Sequence, residues 1–188
     1  MLRLYRNVKM QAFKNKYRTK TLRLQSWDYR WNGVYFITIC CKDKAHYFGK
    51  IHNDKMELSN VGLIADILWH EIKQHTNHIE LDEFVVMPNH IHGILIINNS
   101  VETLHATSLQ KTPKTMSVIS PKANSISSII RSYKSAVTKH AHRLGYEFSW
   151  QSRFYDHIIR NEASLNQIQH YVINNPQSWK DDKFYPQD

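Results

Sequence analysis

Residues 79–97 read IELDEFVVMPNHIHGILII. Two runs rich in β-branched and aromatic residues flank Pro88-Asn89, which predicts two strands, Ile79 to Met87 and His90 to Ile97. On a strand, residues two apart share a face, so His90 and His92 project side by side. Ile91 points to the other side and anchors the strand.

Working outward, Gly33 to Cys41 (GVYFITICC) reads as a strand, and His46 to Leu58 as a hairpin turning at Asn53-Asp54. Asn60 to His75 predicts a helix, because Val61, Ile64, Ala65, Leu68 and Ile72 recur at helical spacing. Residues 98–124 are rich in Ser, Thr, Lys and Pro and read as an exposed loop. Ser125 caps a helix that runs to Leu144 and stops at Gly145. Ile126, Ile129, Ile130, Tyr133 and Val137 line one side of it, and Arg131, Lys134 and Lys139 another. Tyr146 to Ile159 contains a short strand. Glu162 to Asn174 is a last helix, ended by Pro176. Mixed strands and helices in this order predict an α+β fold, one antiparallel sheet with helices packed against it.

With 188 residues and 41% hydrophobic side chains, the chain suits one domain with a real core. Lys and Arg number 25 against 16 Asp and Glu, a net charge of +9. Such a domain attracts polyanions, nucleic acid foremost, although a merely basic soluble protein has the same balance. The basic residues 1–26 read as an arm able to touch phosphates, or as a solvated tail. Cys40 and Cys41 are neighbours, so as strand residues they face opposite ways and form neither a bridge nor a zinc pair. No stretch approaches the roughly 20 apolar residues of a membrane span. A reduced, cytoplasmic setting without a signal peptide is expected.

Two imidazoles side by side are a ready chelate for a divalent cation. Taken alone, such a pair is more often two half-buried histidines bonded to backbone. In QIQHYVINNP, residues 167–176, a helix puts Tyr171 and Asn175 on one face at i and i+4. An amide oxygen can complete a site begun by two histidines. A nearby cation would then stabilise the phenolate of Tyr171 as a nucleophile. Without that context Tyr171 is a core aromatic and Asn175 an ordinary helix end.

Several motifs in order supply the context. MPNHIHGI resembles the HUH motif, two histidines about a bulky apolar residue. SWQSRFYDHIIRN, residues 149–161, resembles the W-Q-x-R-F/Y-x-x-H-x-I-R block of the REP-associated tyrosine transposases. YVINNP, residues 171–176, resembles their Y-I-x-x-N-P block, and residues 27–41 resemble their opening segment. The resemblance spans residues 27–180, with 181–188 left as a tail, and extends to the IS200-like Y1 transposases of the HUH endonuclease superfamily. It implies a ferredoxin-like (RRM-like) sheet. It also implies a single-stranded DNA transposase that recognises a DNA hairpin and cuts and rejoins strands through a 5′-phosphotyrosine. By the resemblance His90 and His92 are metal ligands for Mg2+ or Mn2+, Asn175 is the third ligand, and Tyr171 is the nucleophile. IS200-like relatives often carry Gln at the third position. Arg131, Lys134, Lys139, Arg153 and Arg160 are DNA-binding candidates. Arg153 also reads as an ion-pair partner, and Tyr133 and Tyr155 read as structural. The family includes monomers and homodimers, and its setting is the bacterial nucleoid.

Two other readings compete. A domesticated, catalytically inactive binding module explains charge and aromatics but leaves the histidines and Tyr171 idle. A hydrolytic metal-dependent nuclease needs carboxylate ligands, for which Asp82 and Glu83 are upstream candidates. A structural zinc protein lacks paired C-x-x-C spacing.

Overall fold

The computed structural model describes residues 11–13, 16–18, 28–99 and 124–186. The loop assigned to 98–124 lies outside the described residues except at its ends. Of the arm at 1–26, two short strands are described, β1 (Gln11–Phe13) and β2 (Lys16–Arg18), paired antiparallel.

The main sheet contains β3 (Gly33–Cys40), β6 (Ile79–Val86), β7 (His90–Ile97) and β8 (Tyr155–Ile159), in the order β6-β7-β3-β8. All neighbours are antiparallel. With α1 (Asn60–His75) between β3 and β6, and α2 (Ile126–Arg143) between β7 and β8, the elements run βαββαβ. This is the ferredoxin-like arrangement expected. The hairpin of β4 (Gly49–His52) and β5 (Lys55–Leu58) is inserted before α1, and α3 (Glu162–Asn174) follows β8. Its turn falls at Asn53 and Asp54, both at positive φ, the conformation that matches the twist of a tight hairpin.

Local chemistry sets the helix bounds. The Ser59 hydroxyl accepts from the Gly62 N–H to begin α1. Ser125 and Ser128 form a reciprocal capping box at α2. Asn161 caps α3 by accepting from the Ser164 N–H.

The sheet has two unlike faces. Helices α1 and α2 cover one, where Tyr35, Ile37, Ile91, Leu95, Trp69 and Tyr133 are buried together. Trp69 stacks on Phe84 at 4.7 Å and lies over Gly93, where an added Cβ would come within 2.2 Å of the indole. The glycine is what lets the indole lie against the strand. Tyr133, expected in the core, is buried and donates its hydroxyl to the Ala65 carbonyl at 2.8 Å.

The other face carries α3, seated over β6 and β7 through a small cluster of Phe36, Ile94, Ile159 and Val172. A β-bulge between Leu81 and Phe84 puts one extra residue in β6. Asp82 in that bulge accepts a hydrogen bond of 2.8 Å from Gln169 of α3. One of the two carboxylates that sequence offered to a hydrolytic site is thus engaged in holding the helix.

Candidate metal and tyrosine site

Strand parity places His90 and His92 on the α3 face, and both are fully buried. Their ring centroids are 4.5 Å apart. Each has a neighbour on its Nδ1. The Asn89 side chain donates its Nδ2 to the Phe184 carbonyl at 2.9 Å, which turns its Oδ1 to His90 Nδ1 at 2.8 Å. The His90 Nδ1–H therefore donates to Asn89, and Nε2 carries a bare lone pair. His92 Nδ1 lies 2.9 Å from the Thr38 hydroxyl on the adjacent strand. Partners of this kind orient metal-binding imidazoles.

Helix α3 supplies the facing half. Val172 is fully buried in the small cluster and fixes the helix rotation, which turns Tyr171 and Asn175 to the histidines. The Tyr171 hydroxyl lies 3.1 Å from His92 Nε2, and the residue is 40% exposed, leaving an approach from solvent. Asn175 is buried at the end of the helix. Phe36 stacks on His92 at 5.1 Å and meets Tyr171 edge-on at 6.2 Å, closing the floor between strand and helix.

The segment beyond α3, read from sequence as a tail, returns to this site. Asp182 Oδ2 accepts from the Tyr171 hydroxyl at 3.0 Å and from Asn175 Nδ2 at 3.1 Å. Its Oδ1 accepts from the Phe184 N–H at 2.7 Å. The Phe184 ring packs on His90 with centroids 4.4 Å apart. Asp182 was not a sequence candidate, and no local pattern marks it. It becomes a site residue only because the chain turns back after Pro176.

The donor set fits a cation. Among buried side-chain atoms, His90 Nε2 and Asn175 Oδ1 have no hydrogen-bond partner. Both are acceptors, and buried acceptors are costly to leave unmatched. His90, His92 and Asp182 offer three ligand atoms that all lie within 4.8 Å of one another. Two neutral imidazoles, an amide oxygen and a carboxylate suit a divalent ion. Burial holds both imidazoles neutral. His90 is pushed down to about 3, first by burial and then by the charges of Lys183 and Lys44, and His92 is lowered by burial and by His90. Tyr171 is shifted upward, by burial first and then by the charge and hydrogen bond of Asp182. Without a cation the phenol is thus a poor nucleophile at neutral pH.

The DNA-binding candidates are not gathered here. Arg131 and Lys139 are exposed on α2, in the layer behind the opposite face of the sheet. Lys134 is half-buried, donates to the carbonyls of Gln151 (2.7 Å) and Arg153 (2.9 Å), and lies over Trp150. It clamps the turn that leads into β8. Arg153, at positive φ, and Arg160 are exposed at the two ends of that strand. Among the described residues, the cations whose charge acts on His90 are Lys183 and Lys44, which sequence reasoning passed over.

No family model matches the chain. An uncharacterized protein of Haemophilus influenzae (strain ATCC 51907 / DSM 11121 / KW20 / Rd) is 39% identical over 174 residues, covering 88% of this chain and 92% of that protein. The chain belongs to the same family as that protein. The structure of a REP-associated tyrosine transposase bound to a REP hairpin superposes with a TM-score of 0.54 and 19% identity, over 84% of this chain and 74% of that one. The fold is that of the Y1 transposases. No helix among the described residues is long and apolar enough to cross a membrane.

Proposed function

We propose that the protein is a single-stranded DNA transposase of the Y1 HUH type, which recognises a hairpin and cleaves and rejoins strands through a covalent 5′-phosphotyrosine at Tyr171. The observation that carries this reading is the Tyr171 hydroxyl 3.1 Å from His92 Nε2, within a buried cluster that leaves acceptor lone pairs on His90 and Asn175. The hairpin in the reading is drawn from the structural neighbour, which was solved with one.

His90, His92 and Asn175 would hold a divalent cation, Mg2+ or Mn2+, with the Asp182 carboxylate beside them. When bound, the ion supplies Lewis-acid polarisation of the scissile phosphate and offsets developing negative charge. The protein's own groups do the rest. Thr38 and Asn89 orient the imidazoles through Nδ1. The Tyr171 oxygen attacks phosphorus in line, the bond from phosphorus to the 3′ oxygen breaks, and that oxygen leaves as an alkoxide that takes a proton from water to become a 3′-hydroxyl. The phenol proton departs along its existing hydrogen bond to Asp182 Oδ2. The phosphotyrosine conserves the bond, so a 3′-hydroxyl can reverse the step and rejoin strands without ATP.

The test uses labelled hairpin DNA from sequence flanking the gene, with Mg2+ or Mn2+, resolved on denaturing gels. Wild type is expected to form a protein–DNA adduct that vanishes in Tyr171→Phe and with a chelator. A hydrolytic nuclease is the second reading, and the Asp182 carboxylate within the histidine cluster is the observation that favours it. Cleavage that persists in Tyr171→Phe without an adduct would establish it. Binding across several hairpins with no cleavage would instead identify an inactive, domesticated binding protein.

A further inference from the structure

The register of the sheet sets up a row beside the tyrosine site. His92 pairs with Thr38, and Thr38 pairs with Tyr155. Paired residues point the same way, so all three face the α3 side. Tyr155 therefore lies two strand spacings, roughly 10 Å, from His92. His157, two residues on, faces the same side. Helix α3 covers the β6 and β7 end of this face, and β8 is an edge strand, so Tyr155 is 38% exposed and His157 is exposed. Tyr155 read as structural in the sequence, but its ring is not a core group.

One cation lies over it, and a second adjoins the first. Lys183 Nζ stands over the Tyr155 ring at 5.8 Å from its centroid, and Lys44 donates to the Lys183 carbonyl at 3.4 Å. The same two lysines act on His90, so they rim the histidine site as well. A part-exposed aromatic ring with ammonium groups close by is a pairing that binds single-stranded nucleic acid, because the ring takes a base and the cations take the backbone.

We propose that Tyr155 is a stacking platform for an unpaired nucleobase of the strand held at His92, with Lys183 and Lys44 meeting its phosphates. The platform positions the strand so that the phosphate adjoining the stacked base faces Tyr171. This rests on the reading of the protein as an enzyme of single-stranded DNA. It adds that the strand runs across the face toward β8, and that its grip on the base beside the cut is sequence-tolerant.

The test separates the two ideas by reading binding apart from cleavage. Fluorescently labelled oligothymidylate, which forms no hairpin, is titrated into full-length Tyr171→Phe protein and followed by anisotropy. Adding Tyr155→Ala is expected to weaken binding by about 10-fold, while Tyr155→Phe stays within about 2-fold of the parent, since stacking needs the ring and not the hydroxyl. Lys183→Ala is expected to weaken binding and to reduce the salt slope by about 1. An abasic residue placed beside the cleavage position of a hairpin substrate should weaken binding to the parent but not further to Tyr155→Ala. Circular dichroism checks that each variant is folded. Parent-like oligothymidylate binding by folded Tyr155→Ala, or no binding by the parent, overturns the platform. Loss in Tyr155→Ala stands for the platform even where no tyrosine adduct forms. An adduct with normal Tyr155→Ala binding leaves the tyrosine chemistry and removes the platform.

Discussion

The two faces of strand β7 do different work with the same backbone. On one, Ile91, Gly93 and Leu95 lie under Trp69 and the α1–α2 layer. On the other, His90, His92 and Ile94 meet α3 and the returning segment at 182–184. Each face leaves buried polar atoms unmatched. Trp69, lying against Gly93, strands an indole N–H, while beside the histidine pair His90 Nε2 and Asn175 Oδ1 strand lone pairs. A stranded N–H offers nothing to a cation, and lone pairs do. Polarity alone does not mark a site. Unmatched acceptors gathered beside further ligand atoms do.

The division can be broken at either face. Trp69→Ala empties the fully buried indole position and is expected to cost about 3–5 kcal/mol of unfolding free energy in urea titrations, the range for large aromatic truncations. The surviving folded protein should bind Mn2+ as before, and weakened Mn2+ binding would show the faces to be coupled. His92→Ala should act the other way, with Mn2+ affinity by calorimetry reduced at least about 100-fold and stability changed much less than by Trp69→Ala. Unaltered Mn2+ binding there would remove the histidines from the metal site.

Acidity sharpens the same contrast. The histidines face α3 and titrate well below their unfolded value of about 6.5. Below that pH the unfolded chain takes up protons that the native imidazoles refuse. Their contribution is therefore complete above about pH 6.5 and is lost as pH falls, for His90 toward about 3. Stability is expected to fall steadily with pH across this window. Urea midpoints of metal-free protein across this window check it, and a flat profile would mean the imidazoles are accessible to protons. The smallest expected effect is that of Thr38→Val, which removes the Nδ1 partner of His92. Mn2+ affinity should fall about 10-fold with little change in stability.

Much of this was legible in sequence because it depends on local pattern. The α1 helix follows from apolar spacing and the Ser59 cap, and the His90/His92 alignment follows from strand parity alone. Tyr171 and Asn175 were readable as one helical face. What was illegible depends on how elements dock. The basic side of α2 could be read from Arg131 and Lys139, but not which layer α2 would join. Lys134 looked like its neighbours until its ammonium met the carbonyls of residues 151 and 153. Asp182 and Lys183 stand beyond Pro176 in a stretch without periodicity, and only the return of the chain brings them to the histidines.

The site is carried by few rigid parts. Both imidazoles ride on β7, and the phenol and amide ride on α3, locked by Val172 and by the Gln169–Asp82 bond. Alignment is thus a single relation between one strand and one helix. A small tilt of α3 would misplace Tyr171 and Asn175 together, so an imperfect fit tends to switch cutting off as a unit. For the strand cleavage proposed above, that makes docking of one helix the condition on which the nucleophile and the amide ligand stand or fall together.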